Sequence, residues 1–256
     1  MKSKLLLLVL VGAVLLSAAP VLSDSDFYVV AVGGGVGTKI TSLPYTIIDP
    51  GFYYLGSNLT CASGTGITVN SDNVTIDLMG FTMTRNGPPG PSAGVYLKQR
   101  TNVEIRNGTI TGFYMGVQAD ANPLIPSGNH RISNIRALND AYAGIQLFGD
   151  NHVVRGCVCS NNVTYGINLM ASGIITGCVA KGNNTGIQLQ GAGSVIGNFA
   201  INNNPYNFFL GNFDTKTEIM VDRNSASGLT TNYFIPNGST GIVGLSSGTT
   251  TNAGAP

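Results

Sequence analysis

Two cations and a carboxylate stand close together in this chain: Lys98, Arg100 and Asp120. Such a set could carry an elimination on a uronic acid sugar, in which a cation neutralises the sugar carboxylate and a base removes the adjacent proton. A salt bridge between neighbouring strands is the simpler account of Lys98 and Asp120. A second group is neutral: Thr68, Tyr96, Gln118, Gln146, Asn168 and Gln188 recur at one position of a repeated phrase. Two residues beyond each stand Asn70, Lys98, Asp120, Phe148, Met170 and Gln190. Amides beside aromatic rings suit sugar hydroxyls and sugar faces, although any exposed strand face also needs polar residues. Tyr114, Tyr142, Tyr165 and Tyr206 recur just before the phrase and would extend an aromatic edge, but the chain has no tryptophan. His130 and His152 also fall at matching positions. With no third ligand in view, they read as satisfied corner histidines, and no metal is expected.

The element that must position these residues opens on glycine. It occurs six times, at Gly66-Ile67-Thr68-Val69, Gly94-Val95-Tyr96-Leu97, Gly116-Val117-Gln118-Ala119, Gly144-Ile145-Gln146-Leu147, Gly166-Ile167-Asn168-Leu169 and Gly186-Ile187-Gln188-Leu189. The glycines are 28, 22, 28, 22 and 20 residues apart. A unit this short cannot bury an apolar face alone, so the units must stack into a solenoid with one continuous core.

Each phrase alternates apolar and polar side chains, as a half-buried strand does. A second strand follows, through Val74 to Asp77, Val103 to Arg106, then Ile132, Val154, Ile175 and Ile196. A third is marked by the pairs Met79/Phe81, Gly108/Ile110, Ile135/Ala137, Cys157/Cys159, Cys178/Ala180 and Phe199/Ile201. Asp140, Asn162, Asn183 and Asn204 then stand at one corner, where asparagine tolerates left-handed angles and bonds to nearby backbone. Helical periodicity is missing, so the expected class is all-β, with three short parallel sheets per coil.

Asp77 with Arg106, and Glu104 with Arg131, are expected to pair across adjacent coils. The insertions 86–93 and 121–128 bracket the phrase face, and insertions on solenoids often mark the binding face. Cys157 and Cys178 repeat at one position with Cys159 on the same parity. A buried, reduced stack is expected, with a Cys157–Cys178 bridge as the alternative and Cys61 unpaired.

Charged residues make up 10% of the chain, well below the usual share of about 25%. A basic start, Met1 to Lys4, precedes an apolar run, Leu5 to Leu16, and a small-residue stretch ending at Ser23. This reads as a secretory signal peptide over residues 1–23, with cleavage after Ser23 or alternatively Ala19. The run is shorter than the roughly 20 residues a spanning helix needs, so no membrane insertion of the mature chain is expected. Removing Lys2 and Lys4 leaves 11 basic and 12 acidic residues, a net charge of −1. Nucleic acid recognition, which needs clustered cations, is excluded. The expected location is secreted, periplasmic or cell-surface. Six Asn-x-Ser/Thr sequons, at Asn58, Asn73, Asn107, Asn162, Asn183 and Asn237, matter only in a host that glycosylates proteins.

With these motifs the chain resembles the right-handed parallel β-helix proteins of the pectin-lyase-like superfamily, over roughly Lys39 to Tyr233. Residues Ile40 to Leu59, with Leu43-Pro44-Tyr45-Thr46-Ile47-Ile48 and Pro50-Gly51-Phe52-Tyr53-Tyr54-Leu55, resemble the N-terminal cap of secreted bacterial members. The expected organisation is a signal peptide (1–23), an N-terminal extension (24–39), a capped single-stranded β-helix (40–235) and a Gly/Ser/Thr-rich tail (236–256).

Superfamily hydrolases that cleave polygalacturonate carry Asn-x-Asp, Asp-Asp, Gly-His-Gly and Arg-x-Lys. Here Asn70-Ser71-Asp72 and Asn212-Phe213-Asp214 match only the first, which disfavours that two-carboxylate chemistry. Three readings follow. The leading one is a protein that binds a polysaccharide or cell-surface glycan along the phrase face without a cofactor. The second is a lyase or epimerase on a uronic acid polymer, using Lys98, Arg100 and Asp120 and, if lyase-like, calcium. The third is a passive surface module.

Overall fold

The computed structural model describes residues 37–87, 90–120, 127–212, 217–228 and 231–236. The expected signal peptide, residues 24–36 of the extension and residues 237–256 of the tail lie outside them, as do residues 88–89 and 121–126 of the two insertions. Every regular element among the described residues is a β-strand, and every pairing is parallel. The chain winds as a parallel β-solenoid whose turns present three faces.

The first face is a nine-stranded sheet built on the glycine phrases, from Tyr45–Ile47 to Thr231–Phe234. The second and third faces join into one 15-stranded sheet. They are fused by two long strands, Val103–Thr111 and Arg131–Leu138, which continue from one face into the other. The segment expected to cap the coil supplies the strands Tyr45–Ile47, Gly51–Leu55 and Leu59–Cys61, and Thr38–Ile40 pairs on Gly51–Leu55.

Inward residues stack in columns because each strand pairs in register with the next turn. One runs Ile67, Val95, Val117, Ile145, Ile167, Ile187, Phe208 and Tyr233; another runs Val69, Leu97, Ala119, Leu147, Leu169, Leu189 and Leu210. All are buried, and full burial of each large aliphatic side chain contributes roughly 2 kcal/mol.

The phrase glycines are needed for close approach. A Cβ added at Gly116, Gly144 or Gly166 would lie within 2.8 Å of the carbonyl oxygen of the next turn's glycine. Asn207 takes the glycine's place in the following turn, which is why the repeated phrase ends at Gly186.

Each corner uses one device at several of its turns. A residue at left-handed φ is followed by an inward residue whose side chain accepts the backbone N–H of its counterpart one turn earlier. At the corner leading into the first face, Asn139, Asn161, Gly182 and Asn202 hold φ of 54 to 68° and precede Asp140, Asn162, Asn183 and Asn203. Phe113 N donates to Asp140 Oδ1 (2.9 Å), Asp140 N to Asn162 Oδ1 (3.0 Å), Asn162 N to Asn183 Oδ1 (2.9 Å) and Asn183 N to Asn203 Oδ1 (2.9 Å).

At the corner between the second and third faces, Cys178 Sγ, Asn198 Oδ1 and Asn224 Oδ1 accept in the same way. Where the chain leaves the first face, the acceptors are imidazoles: Val103 N donates to His130 Nδ1 and His130 N to His152 Nδ1, each at 3.3 Å.

Several expectations change here. The left-handed residue at the asparagine corner is the one before the ladder residue. The last rung is Asn203, and Asn204 is exposed. The last repeat is shifted by one residue: Ile175 pairs with Val195 and Ala180 with Ala200, so Ile196, Phe199 and Ile201 are not inward. A one-residue slip sends every side chain to the opposite face, and Phe199 is indeed 39% exposed. Glu104 and Arg131 stand in register but form no ion pair; Glu104 lies 3.7 Å from Arg106, which binds Asp77 at 2.7 Å as expected. All four cysteines are free and buried, so Cys157 and Cys178 do not form the alternative bridge.

Candidate functional site

From Thr68, which pairs with Thr46 below it, the outward column of the first face runs Thr68, Tyr96, Gln118, Gln146, Asn168, Gln188, Phe209 and Phe234. The sequence pattern correctly places the first six in one row. It misses Phe209, whose signal is its spacing from Gln188, within the range of the repeat. Three members are more enclosed than outward strand residues usually are: Gln146, Asn168 and Gln188 are buried. Gln146 Oε1 and Asn168 Oδ1 have no hydrogen-bond partner, so the middle of the row holds acceptors that the fold leaves open.

A file of tyrosines runs along the edge preceding these strands. Tyr114 and Tyr142 stack at 5.2 Å between centroids, and Tyr142 meets Tyr165 edge-on at 5.7 Å. Two hollows open on this face. One, of about 210 Å³, is lined by Thr65, Pro91, Ser92, Ala93, Tyr96, Tyr114, Met115 and Gln118. The other, of about 330 Å³, is lined by Tyr165, Asn184, Thr185, Gln188, Gln190, Tyr206, Phe209, Gly211 and Asn212. Its walls are aromatic and its polar atoms are mostly amides, and none of these lining residues is charged. Phe148 and Met170 stand just past their strands and line neither hollow.

The three residues singled out for elimination chemistry are arranged differently from a salt bridge. Lys98 and Asp120 sit at matching positions of adjacent turns, one residue past the paired Leu97 and Ala119. No ion pair joins them. Asp120 is held instead by its own face: the Tyr96 hydroxyl donates to Asp120 Oδ2 and Gln118 Nε2 donates to Oδ1 at 2.9 Å. Burial, reinforced by that hydrogen bond and by the carboxylate charge, pushes the Tyr96 phenol up to about 12, so it stays protonated. Lys98 is exposed, and Arg100 Nε donates to the Lys98 carbonyl at 2.8 Å.

A further hollow, of about 380 Å³, lies off this face. It is lined by Asn73, Asn102, Asn129, Asn151, Thr75, Glu104, His130 and Arg131 among others. Its wall is the corner where the chain leaves the first face. The four asparagines hold left-handed φ there, and their position is explained by turn geometry. The smaller hollows on the first face combine rings with amides.

His130 and His152 stack at 5.1 Å, nearly parallel. Burial lowers both, His130 to about 3, where His152 adds to the effect. With Nδ1 accepting from backbone, the proton sits on Nε2, and His152 Nε2 lies 2.9 Å from the Phe148 carbonyl. Both rings are committed to the corner, and no cluster of three or more metal-ligating side chains occurs among the described residues. Two sequons are closed by the fold, because Asn162 and Asn183 are buried ladder residues.

A parallel solenoid with this register defines the class, and comparison with known proteins agrees. Residues 55–207, more than half of the chain, match the family model described as "Right handed beta helix region", and the chain belongs to that family. Among solved structures it is similar to the crystal structure of pectate lyase Pel9A, with 14% identity and a TM-score of 0.45 over 89% of this chain and 67% of that one. No curated protein sequence matches the chain. No helix among the described residues is long and apolar enough to cross a membrane.

Proposed function

We propose that the first face binds a polysaccharide or cell-surface glycan, and that it does so outside the cell after removal of the N-terminal signal segment. The observation that carries this reading is the hollow of about 330 Å³ in which Tyr165, Tyr206 and Phe209 stand beside Asn184, Gln188, Gln190 and Asn212. Aromatic rings offer flat apolar surface to the C–H face of a pyranose, while amides donate to and accept from its hydroxyls. The stacked tyrosines Tyr114 and Tyr142 and the second hollow at Tyr96 and Gln118 extend the same chemistry along the face.

Screening the folded protein against a broad glycan array, followed by titration of the strongest ligand, tests the reading. Tyr206→Ala and Gln188→Ala should each weaken binding about tenfold or more without lowering the melting temperature by more than a few degrees. A folded protein that binds no glycan overturns it.

Elimination on a uronic acid polymer is the second reading. It is favoured by Lys98 standing exposed on the turn next to Asp120 with no ion pair between them, and calcium belongs to this reading alone. Its signature is an unsaturated product absorbing in the ultraviolet.

A further inference from the structure

We infer that Asp140 is carried in the folded protein as a neutral carboxylic acid, standing in the asparagine ladder where later turns place an amide, and that its ionisation breaks the ladder at that turn. The placement of Oδ2 carries the argument. A Cβ added at Gly144, Gly166 or Gly186 would meet the Nδ2 of Asn162, Asn183 or Asn203 at 2.8, 2.9 and 2.6 Å, and at Gly116 it meets Asp140 Oδ2 at 2.8 Å. Asp140 Oδ2 thus occupies the site of an amide nitrogen.

In the ladder that nitrogen is a donor. Asn183 Nδ2 donates to the Cys159 carbonyl and to Asn203 Oδ1, and Asn162 Nδ2 to the Ala137 carbonyl and to Asn183 Oδ1. Asp140 Oδ2 is buried with no partner. The Oδ1 of Asn162, which already accepts Asp140 N, is the acceptor next up the ladder. An ionised carboxylate has nothing to donate there; a carboxylic acid supplies O–H where the amide supplies N–H.

The surroundings offer no charge to hold an anion. The residue is 1% exposed, and no described cation pairs with it. Arg136 on the preceding strand, Arg131–Leu138, and Lys181 on Val179–Lys181 are both exposed. The titratable group beside it on the neighbouring turn is the Cys159 thiol, pushed up chiefly by burial and also by Cys178 and Asp140. Burial pushes the Asp140 carboxyl up to about 8, against the opposing donors Phe113 N and Gly112 N.

The linkage has a definite sign. Below about pH 4 the carboxyl is protonated in folded and unfolded chains alike. Above that, the unfolded chain gives up its proton and the folded chain does not, so stability falls as pH rises, until the folded group also ionises near pH 8.

The test compares the natural chain with Asp140→Asn by thermal melting from pH 4 to pH 9. The expected result is a variant that melts higher than the natural chain at pH 8, with the gap closing towards pH 4. A variant that melts lower at pH 8, or a gap independent of pH, overturns the inference. Isotope-edited infrared spectroscopy of the natural chain at pH 6 gives an answer that does not depend on the variant folding. A protonated aspartyl carbonyl band supports the assignment, and carboxylate bands alone overturn it.

Discussion

The corner leading into the first face and the corner leading out of it perform one task with different chemistry. Going in, Asn162, Asn183 and Asn203 accept a backbone N–H from the previous turn and pass a second hydrogen bond up the ladder through their amides. Going out, His130 and His152 accept the same backbone N–H through Nδ1. An amide neither gains nor loses a proton in the physiological range, whereas an imidazole can. Two corners with the same geometry should therefore answer differently to mutation and to acid.

The largest difference is expected from Asn183→Leu. That change keeps the volume but takes the acceptor from Asn162 N and the side-chain donor from the Cys159 carbonyl, and removes one of the two partners of Asn162 Nδ2 and of Asn203 Oδ1. At about 1 to 3 kcal/mol for each stranded buried group, the loss should reach roughly 2 kcal/mol or more in denaturant unfolding. A loss below about 1 kcal/mol would break the comparison, because the ladder would then be ornamental.

Acid should act at the other corner. With His130 held down to about 3 and its unfolded value near 6.5, stability is intact above pH 6.5. It drains away as pH falls towards 3, because only the unfolded chain takes up the proton. In the Asp140→Asn background, which removes the opposing carboxyl, melting should drop by about 5 °C or more between pH 7 and pH 4. His130→Asn, which offers an amide oxygen where Nδ1 stood, should reduce that drop; an unchanged acid profile would refute the assignment.

The smallest effect sharpens the contrast between outward and inward positions of one corner. Asn129 sits at φ 56° beside the buried His130. Asn129→Ala should cost about 1 kcal/mol through its left-handed backbone, and Asn129→Gly much less. A Gly variant that costs as much as the Ala variant in chemical denaturation would show that the amide, and not the backbone angle, matters there.

Much of this winding was legible in the residues. The glycine phrases and the parity of Ile67, Val95, Val117, Ile145, Ile167 and Ile187 locate the first face, because a buried column tolerates little else. Val195 and Ile196 show where such reading fails. Both are apolar, the pattern admits either as the inward landmark, and only pairing with Ile175 decides for Val195. Polar character misleads at Gln146, Asn168 and Gln188, which stand in the outward row and are nevertheless buried. The Lys98 and Asp120 columns are right while the bond between them is not, since Tyr96 and Gln118 reach the carboxylate.

In-register stacking of each turn on the next has a mechanical consequence. A chain pulled from its C-terminal end meets resistance from one turn at a time, because the strands of a turn bond only to the turns beside it. Extension should proceed as a series of similar ruptures, each releasing the 20 to 28 residues of one repeat, or about 70 to 95 Å of contour. The coil would behave as a row of fuses of nearly equal rating rather than as a single clasp.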